Sequence, residues 1–437
     1  MSIRKGLSTG LALAMLLGSL LPAGSALAQE DSHAGHVVAG GLASPRGLSV
    51  GEDGNLYVAE AGSGGDQVVT IPGPDGEPAE ARVGLSGQVS RITPGGQKTV
   101  VARNLPSALT GDAEAAEAAG PHGAIFANGA LWVTTFGALQ APQPPPNTGA
   151  LLKVNVQDGS VQEVASLQNY EKANNPDGFL PDSNPYGLAL GKDGMVYVAD
   201  AGGNTLYKVN PADNQLSVVS VFPGLPLPEM LRGPGPFAEG NPTRNGAFEI
   251  DPVPTGVTIS DGGTIYVGML SGFPFLPGGT KIVSVSSDGK VADAASGLTM
   301  VVDVEYGPDG MLYASEFGQF NLGEGGPPGF IPNSGRIMRV MPDGTSEAIV
   351  QGLSFPNGIA ITEDGSLYAA VNSLSTTDGQ VMMLGNVNEL TGMPVGMPSS
   401  GHGFTPDGAI YVSLLMLLGG CAILLTSHRL TLRKRDL

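Results

Sequence analysis

The sequence predicts an all-β fold, and three observations lead to this prediction. The chain of 437 residues contains 67 glycines and 35 prolines, and charged residues make up only 14% of it. Short apolar runs alternate with turns that contain glycine, most often as Asp-Gly or Asn-Gly. The same phrase recurs along the chain, as in NPYGLALGKDGMVYVAD at 184–200. Short apolar runs joined by glycine turns are typical of β-hairpins, because these turns need positive φ angles.

Six copies of this phrase align on the glycine of the turn. They lie at 44–60, 120–135, 184–200, 253–269, 300–316 and 355–371. Each copy predicts two strands, a third apolar run follows it, and a fourth run closes most units. Four antiparallel strands per repeat predict the blades of a six-bladed β-propeller, whose repeats stack because one blade cannot bury both of its faces.

The sixth unit lacks a fourth strand of its own. The segment HVVAGGL at 36–42 reads like the fourth strand of another unit, EAIVQGL at 347–353. We therefore expect the N-terminal strand to complete the last blade, which leaves no open sheet edge. The propeller is then expected over 37–385.

The N-terminus has the pattern of a targeting segment. Residues 1–28 carry Arg4 and Lys5 before a short apolar stretch and end in the small residues ALA. This pattern predicts a signal peptide. Residues 29–36 are then the flexible start of the mature chain, and the domain is exported.

The C-terminus predicts a membrane anchor. A Gly/Pro/Ser-rich linker at 386–408 precedes an apolar stretch at 409–428, which is long enough for a transmembrane helix, and a basic cytoplasmic tail at 429–437. The linker contains MPSSG at 397–401, which resembles the LPxTG-type sorting signal of bacterial surface proteins but departs from it at two positions. We expect a protein anchored at the cell surface. The alternative is that TPDGAIYVS begins another strand pair.

Charge and cysteine content exclude several classes of function. The formal net charge is −19 without a basic patch, so nucleic acid is excluded as a partner. The single cysteine, Cys421, lies in the predicted span, so the exported domain has no disulfide. The sequence also lacks the motif HExxH and a phosphate-binding loop.

The long insertions all fall in the connections between strands 2 and 3 and between one repeat and the next. They lie at 61–86, 103–120, 137–148, 168–183, 222–252 and 318–333. Strand direction alternates, so these connections share one face of a propeller, and the short turns share the other. Loops elaborated on one face predict that this loop-rich face binds a small molecule or a surface polymer.

The middle residue of each Pro-x-Gly is predicted to face the axis on the loop-rich face. These residues are Arg46, His122, Tyr186, Thr255 and Asn357, with Val302 and Asp303 in the fifth unit. The ends of the second strands add the acids Glu60, Asp200 and Glu316.

We predict that ligand binding involves a subset of this ring, and that two of its members are the candidates for catalysis. The predicted ligand-binding residues are Arg46, Glu60, His122, Tyr186 and Asp200. Arg46 and His122 are the catalytic candidates, because histidine is suited to proton transfer. The alternative is that Pro-x-Gly and the acids serve only the turns, with the acids capping loop amides.

The repeated phrase resembles those of NHL-type and gluconolactonase-like six-bladed propellers. More closely, residues 38–385 resemble the ScyD/ScyE family of exported bacterial propellers, through VVAGGLASPRGL, GPHGAIF, NPYGLAL, VADAGGNTLYKV, VPTGVTI and SGRIMRV. The resemblance implies an exported propeller from a family named for the biosynthesis of the pigment scytonemin.

The gluconolactonase-like resemblance also implies a metal site. In that family a Glu, an Asn from a PNG sequence and an Asp hold a divalent metal, which here points to Asn357, with Asp303 and Glu316 as its partners. Calcium is the expected cofactor, since carboxylate and amide oxygens suit it.

The sequence and its resemblances predict two alternative functions. The first is ligand or partner binding by the loop-rich face of a monomeric protein. The second is a metal- or quinone-dependent enzyme acting on a lactone, a sugar or an aromatic precursor, because SGRIMRVMPDG also resembles quinone-dependent sugar dehydrogenases.

Overall fold

The computed structural model describes residues 35–72, 78–111, 117–138, 143–179, 181–226, 249–322, 329–390 and 393–394. The chain divides into two compact units, Met1–Ser32 and His33–Leu437, and all described residues belong to the second. The predicted signal peptide, the span at 409–428 and the basic tail lie outside the described residues.

The described part of the chain is all-β with one short helix, as the sequence predicts. The strands of the first half are β1 (His36–Leu42), β2 (Pro45–Val50), β3 (Leu56–Glu60), β4 (Gln67–Pro72), β5 (Pro78–Ile92), β6 (Lys98–Thr110), β7 (Glu117–Ala119), β8 (Pro121–Ala127), β9 (Ala130–Thr135), β10 (Ala150–Val154), β11 (Val161–Ser166), β12 (Pro185–Leu190), β13 (Val196–Asp200), β14 (Thr205–Asn210) and β15 (Gln215–Val221). The second half contains β16 (Leu225–Pro226), β17 (Glu249–Ile250), β18 (Pro254–Ile259), β19 (Ile265–Met269), β20 (Thr280–Val285), β21 (Val291–Leu298), β22 (Val301–Tyr306), β23 (Leu312–Glu316), β24 (Gln319–Asn321), β25 (Gly329–Ile331), β26 (Gly335–Val340), β27 (Ser346–Leu353), β28 (Ile359–Ile361), β29 (Ser366–Val371), β30 (Gly379–Asn386) and β31 (Met393–Pro394).

Six antiparallel units of four main strands follow the six copies of the repeated phrase within the described residues. They are sheet 1 (β2, β3, β5, β6, with β4 and β7 added), sheet 2 (β8–β11), sheet 3 (β12–β15), sheet 4 (β18–β21), sheet 5 (β22, β23, β26, β27, with β31 added in parallel) and sheet 6 (β28, β29, β30 and β1). The first strands of the sheets, in the order β2, β8, β12, β18, β22 and β28, each contact the next, and β28 contacts β2.

The N-terminal strand pairs with the last long strand of the chain. β1 runs antiparallel to β30, with His36 opposite Met383 and Leu42 opposite Gly379. Sheet 6 therefore takes its fourth strand from the other end of the described chain.

In sheets 1 to 4, Pro-x-Gly begins the first strand and interrupts its pairing with the second strand, whereas Pro356-Asn357-Gly358 directly precedes β28 in sheet 6. Between β12 and β13 the register shifts after Pro185 and resumes at Leu188, and sheets 1, 2 and 4 show the same shift. The glycine allows close packing between sheets, since a Cβ on Gly187 would lie 2.3 Å from the carbonyl oxygen of Thr255 in the next first strand. The bulge turns the middle residue of the motif out of the regular ladder.

The aspartate in the turn of the repeated phrase accepts a hydrogen bond from the tyrosine that follows it. The hydroxyl of Tyr57 donates to Asp53 Oδ2 at 2.9 Å, and that of Tyr197 donates to Asp193 Oδ2 at 2.9 Å. Tyr313 and Asp309 repeat the contact at 2.6 Å. The recurrence of Asp-Gly-x-x-Tyr thus has a structural explanation.

Five of the six insertions predicted as loops contain regular structure, including β7 in 103–120, β16 and β17 in 222–252, and β24 and β25 in 318–333. Residues 61–86 contain β4 and the first part of β5, which extend sheet 1 as a long hairpin. Residues 168–183 contain most of helix α1 (Leu167–Asn174), whose N-cap Ser166 accepts a hydrogen bond from the amide of Asn169. A serine cap satisfies one of the free amides at a helix start.

The predicted anchoring at the cell surface by a membrane helix is contradicted and is corrected here. Among the residues that the structure describes, no helix is long and apolar enough to cross a membrane.

Candidate functional site

The middle residues of the Pro-x-Gly motifs converge where the first strands meet. Arg46, His122 and Thr255 are fully buried, Asn357 is 1% exposed and Tyr186 is 3% exposed. The imidazole of His122 stacks on the ring of Tyr186, with centroids 4.6 Å apart. The hydroxyl of Tyr186 donates to Asn357 Oδ1 at 3.0 Å. The ring predicted from the sequence is therefore a contiguous polar cluster for at least these members.

Beside this cluster lies a cavity of about 240 Å³, here called the central cavity. Its floor is formed by His122, Tyr186, Asp303 and Asn357, and its walls are formed by the following residues of the first strands. Towards the C-terminal ends of these strands the wall residues become partly exposed. The partly exposed wall residues are Val50, Ile125, Leu190, Ile259 and Glu305. The central cavity therefore opens on the face of the short turns, and these five residues form its mouth.

The opposite side of the cluster is filled by aromatic and aliphatic side chains. Tyr186 and Val302 belong to a buried group with Phe275, Phe317 and Phe355. The rings of Phe317 and Phe355 lie 5.4 Å apart. The other residues of this group come from connections of the loop-rich face. At the described residues, that face covers the cluster, whereas the central cavity leads away from it.

His122 is held as a neutral imidazole with one free nitrogen. Its Nδ1 lies 3.1 Å from the carbonyl oxygen of Pro185, which only accepts, so Nδ1 carries the proton. Burial, together with the neighbouring charge of Arg46, lowers the pKa of His122 to about 3. Nε2 is buried and has no hydrogen-bond partner among the described residues, and His122 lines the central cavity.

Asn357 presents the complementary group. Its Oδ1 accepts the hydroxyl of Tyr186, while Nδ2 is buried without a partner among the described residues. A free acceptor on His122 and a free donor on Asn357 thus belong to one small cavity. Leaving such groups unpaired costs about 1–3 kcal/mol each.

Arg46 and Glu117 form a second layer behind the floor. Arg46 Nη2 donates to the carbonyl oxygen of Ala118 at 2.7 Å, while its Nε and Nη1 are unpaired within the described chain. Burial lowers the pKa of Arg46. Burial raises the pKa of Glu117 to about 8, which the charge of Arg46 opposes, and neither carboxylate oxygen has a described partner. Sequence reasoning missed Glu117, because it lies in an insertion outside the repeated phrase.

Asp303 takes the position that glycine holds in the other five units. Its Oδ2 accepts from the amide of Ile359 and its Oδ1 accepts from the amide of Val304, both at 2.9 Å. Burial raises the pKa of Asp303 to about 7, and the two amides oppose that rise. Asp303 therefore joins sheet 5 to sheet 6 by a hydrogen bond where the other sheets use close contact with a glycine.

The three acids at the ends of second strands hold the incoming loops. Glu60 accepts from the amide of Ala43 at 2.8 Å and from Ser90 Oγ at 2.5 Å. Asp200 accepts from the amide of Asn184 at 2.6 Å and from Ser183 Oγ at 2.6 Å. These contacts fit the alternative in which the acids cap loop amides.

The third acid, Glu316, is engaged in the same way. It accepts from the amide of Thr299 at 2.8 Å and from Arg336 Nε at 2.7 Å, with a second bond from Arg336 Nη2. Burial raises the pKa of Glu316, which Arg336 opposes.

The residues predicted to hold a metal do not fit one. The carboxylate oxygens of Asp303 accept hydrogen bonds from backbone amides, and Glu316 accepts from Arg336. Asn357 Oδ1 accepts from the hydroxyl of Tyr186. In the part of the chain that the structure describes, no three His, Cys, Asp or Glu side chains come together as a metal site. Calcium stays a prediction from the sequence.

Comparisons with known proteins point to the same kind of fold. The family model described as the SMP-30/Gluconolactonase/LRE-like region matches residues 237–410. A search of curated proteins finds no match.

Three solved structures share 12–14% identity with this chain and have TM-scores below 0.5. A gluconolactonase from Xanthomonas campestris is 12% identical, covers 80% of this chain and 88% of its own, and has a TM-score of 0.47. A catalytically inactive virginiamycin B lyase from Staphylococcus aureus is 14% identical, covers 81% and 97%, and scores 0.40. A chain of a nidogen/laminin complex is 12% identical, covers 67% and 85%, and scores 0.41. These values are too low to transfer an activity or a site.

Proposed function

We propose that this chain is a six-bladed β-propeller, closed by β1, that binds a small hydroxyl-bearing molecule in its central cavity. The cyclic contacts of the first strands and the pairing of β1 with β30 support the architecture. A closed ring of blades brings the middle residues of all six repeats together, which separate sheets would not do.

One observation carries the binding function. His122 Nε2 and Asn357 Nδ2 are buried and unpaired among the described residues, and both residues line the same cavity of about 240 Å³. A hydroxyl group donates one hydrogen bond and accepts others, so it satisfies both atoms at once. The cavity is smaller than the roughly 300–1,000 Å³ of sites for drug-sized ligands, which favours a small molecule.

The ligand is proposed to enter from the face of the short turns. The mouth of the central cavity lies there, and aromatic side chains fill the other side of the cluster. This departs from the sequence prediction, which assigned binding to the loop-rich face.

A second candidate is an enzyme that acts on a lactone or sugar, favoured by the family model over 237–410 and by the free nitrogen of His122. A general base works best when its pKa lies near the working pH. With a pKa of about 3, His122 accepts a hydrogen bond well but takes a full proton weakly. Binding is therefore the better supported function. Arg46 does not line the central cavity, so it is not placed to hold a quinone there.

Binding can be tested with 1,3-propanediol as the probe, using the full chain and NMR titration. The probe should bind in the millimolar range, and His122→Phe and Asn357→Ala should each weaken binding about fivefold or more, since each removes a hydrogen bond worth about 1 kcal/mol. Glu163→Gln is the control, because the side chain of Glu163 is exposed on β11 and does not line the cavity.

Binding that is equal in all four proteins would place the probe elsewhere, and absence of binding would overturn the proposed function. Turnover of D-glucono-1,5-lactone by the full chain, lost in His122→Phe and kept in Glu163→Gln, would favour the enzyme instead.

A further inference from the structure

The mouth of the central cavity carries one ionisable side chain. Glu305 lies three residues after the middle position of its repeat, and the corresponding residues of the other sheets are Ser49, Ile125, Ala189, Thr258 and Ala360. The first four of these line the cavity together with Glu305. The wall is therefore neutral or aliphatic except at this carboxyl group.

The titratable groups that face the cavity are His122, Tyr186, Asp303 and Glu305. His122 is neutral, and both oxygens of Asp303 accept backbone amides. Glu305 makes no hydrogen bond or ion pair with the described residues. Burial raises its pKa to about 8, and the carboxylate of Asp303 adds to that rise. A cation beside Glu305 would offset both effects.

The floor of the cavity lies near charges of both signs. Arg46 lies close enough for its charge to act on His122 and Tyr186, and Asp303 acts on Tyr186 in the opposite sense. A neutral hydroxyl group therefore suits the floor, and a positive group suits the mouth.

We infer that the ligand is a small amino alcohol, whose hydroxyl group pairs with His122 and Asn357 and whose ammonium group pairs with Glu305. This inference rests on the proposed binding function and adds the charge of the ligand to it.

The spacing along the first strands limits the length of this ligand. Three residues of a strand span about 10 Å. Two hydrogen bonds of about 2.8 Å take up more than half of that distance and leave about 4 Å between the hydroxyl oxygen and the ammonium nitrogen. A spacer of three carbon atoms fits, which makes 3-aminopropan-1-ol a suitable probe.

The test compares three probes of similar size on the full chain by NMR titration at pH 9, where Glu305 is ionised: 3-aminopropan-1-ol, 1-butanol and 3-hydroxypropanoate. We expect the amine to bind at least tenfold more tightly than 1-butanol and the anion to bind most weakly. Glu305→Gln should bring the amine to the level of 1-butanol. Glu363→Gln, an exposed carboxylate on the same face, should leave the preference unchanged.

The outcomes separate this inference from the proposed function. If 1-butanol and the amine bind equally and both depend on His122 and Asn357, the cavity binds hydroxyl groups and the charge assignment is wrong. If the preference for the amine survives in Glu305→Gln, Glu305 is not its cause and the inference also fails. If no probe binds, the proposed function itself is overturned. Equal melting temperatures of Glu305→Gln and the unmodified chain would exclude misfolding as the cause of a loss.

Discussion

Replacing Glu117 by Gln should change the stability of the fold in a strongly pH-dependent way. Burial raises the pKa of Glu117 from its ordinary value of 4.5 to about 8. A raised pKa means that the folded state binds the proton more tightly than the unfolded state. Its contribution to stability is therefore complete below pH 4.5 and is lost as the pH rises through 8.

The magnitude follows from this shift. At about 1.4 kcal/mol for each unit, the loss is about 1 kcal/mol at pH 5 and about 5 kcal/mol at pH 9. Gln does not titrate, so the stability of Glu117→Gln relative to the unmodified chain should rise by about 4 kcal/mol between these two pH values. Because other buried carboxyl groups titrate in both proteins, the comparison isolates Glu117.

Urea unfolding of both proteins at pH 5 and pH 9 measures this difference. The control is Glu163→Gln, whose side chain is exposed on β11 and should show no comparable change. A difference between Glu117→Gln and the unmodified chain that stays within 1 kcal/mol across the pH range would refute the reasoning. It would mean that Glu117 is ionised in the fold and compensated, most directly by Arg46.

Three further predictions follow from the fold and the cavity. Deleting 36–42 should lower the melting temperature or cause aggregation, because it exposes the edge of β30; unchanged melting would contradict closure by β1. Gly187→Ala should destabilise the fold by more than 1 kcal/mol in urea unfolding, since its Cβ would lie 2.3 Å from the carbonyl oxygen of Thr255, whereas Gly262→Ala has room and should be nearly neutral. Binding of 3-aminopropan-1-ol should tighten from pH 6 to pH 9 as Glu305, with a pKa of about 8, ionises; a flat titration would count against its role.

Much of the fold could be predicted because its signals are local. Each Asp-Gly or Asn-Gly turn needs only its own residues, and the repeated phrase shows where each hairpin begins. The pairing of β1 with β30 could be predicted because β1 resembles the fourth strands of other units. By contrast, α1 and the hairpin of β4 and β5 lie in insertions that occur once, so no repetition identifies them.

The candidate site could be predicted only in part. The Pro-x-Gly positions identified His122, Tyr186 and Asn357, because a repeated motif brings equivalent residues to one place. Glu305 had a usable signal, since it replaces a small or neutral residue at an equivalent position of the repeat. Glu117 had none, and its proximity to Arg46 arises from long-range packing of β7.

The direction of the central cavity also could not be predicted. Loop length indicated which face is elaborated, but it did not show whether the loops form a pocket or fill one. The side chains of Phe275, Phe317 and Phe355 pack against Tyr186 and close that side. Which face is open depends on how these loop side chains pack, and sequence spacing does not determine that packing.

A crystal structure of the full chain soaked with 3-aminopropan-1-ol tests the central claim most directly. The account predicts electron density in the central cavity, with the hydroxyl oxygen within about 3.2 Å of His122 Nε2 and Asn357 Nδ2 and the nitrogen beside Glu305. Density only on the loop-rich face, or ordered water that pairs His122 and Asn357 while the probe is absent at saturating concentration, would contradict it.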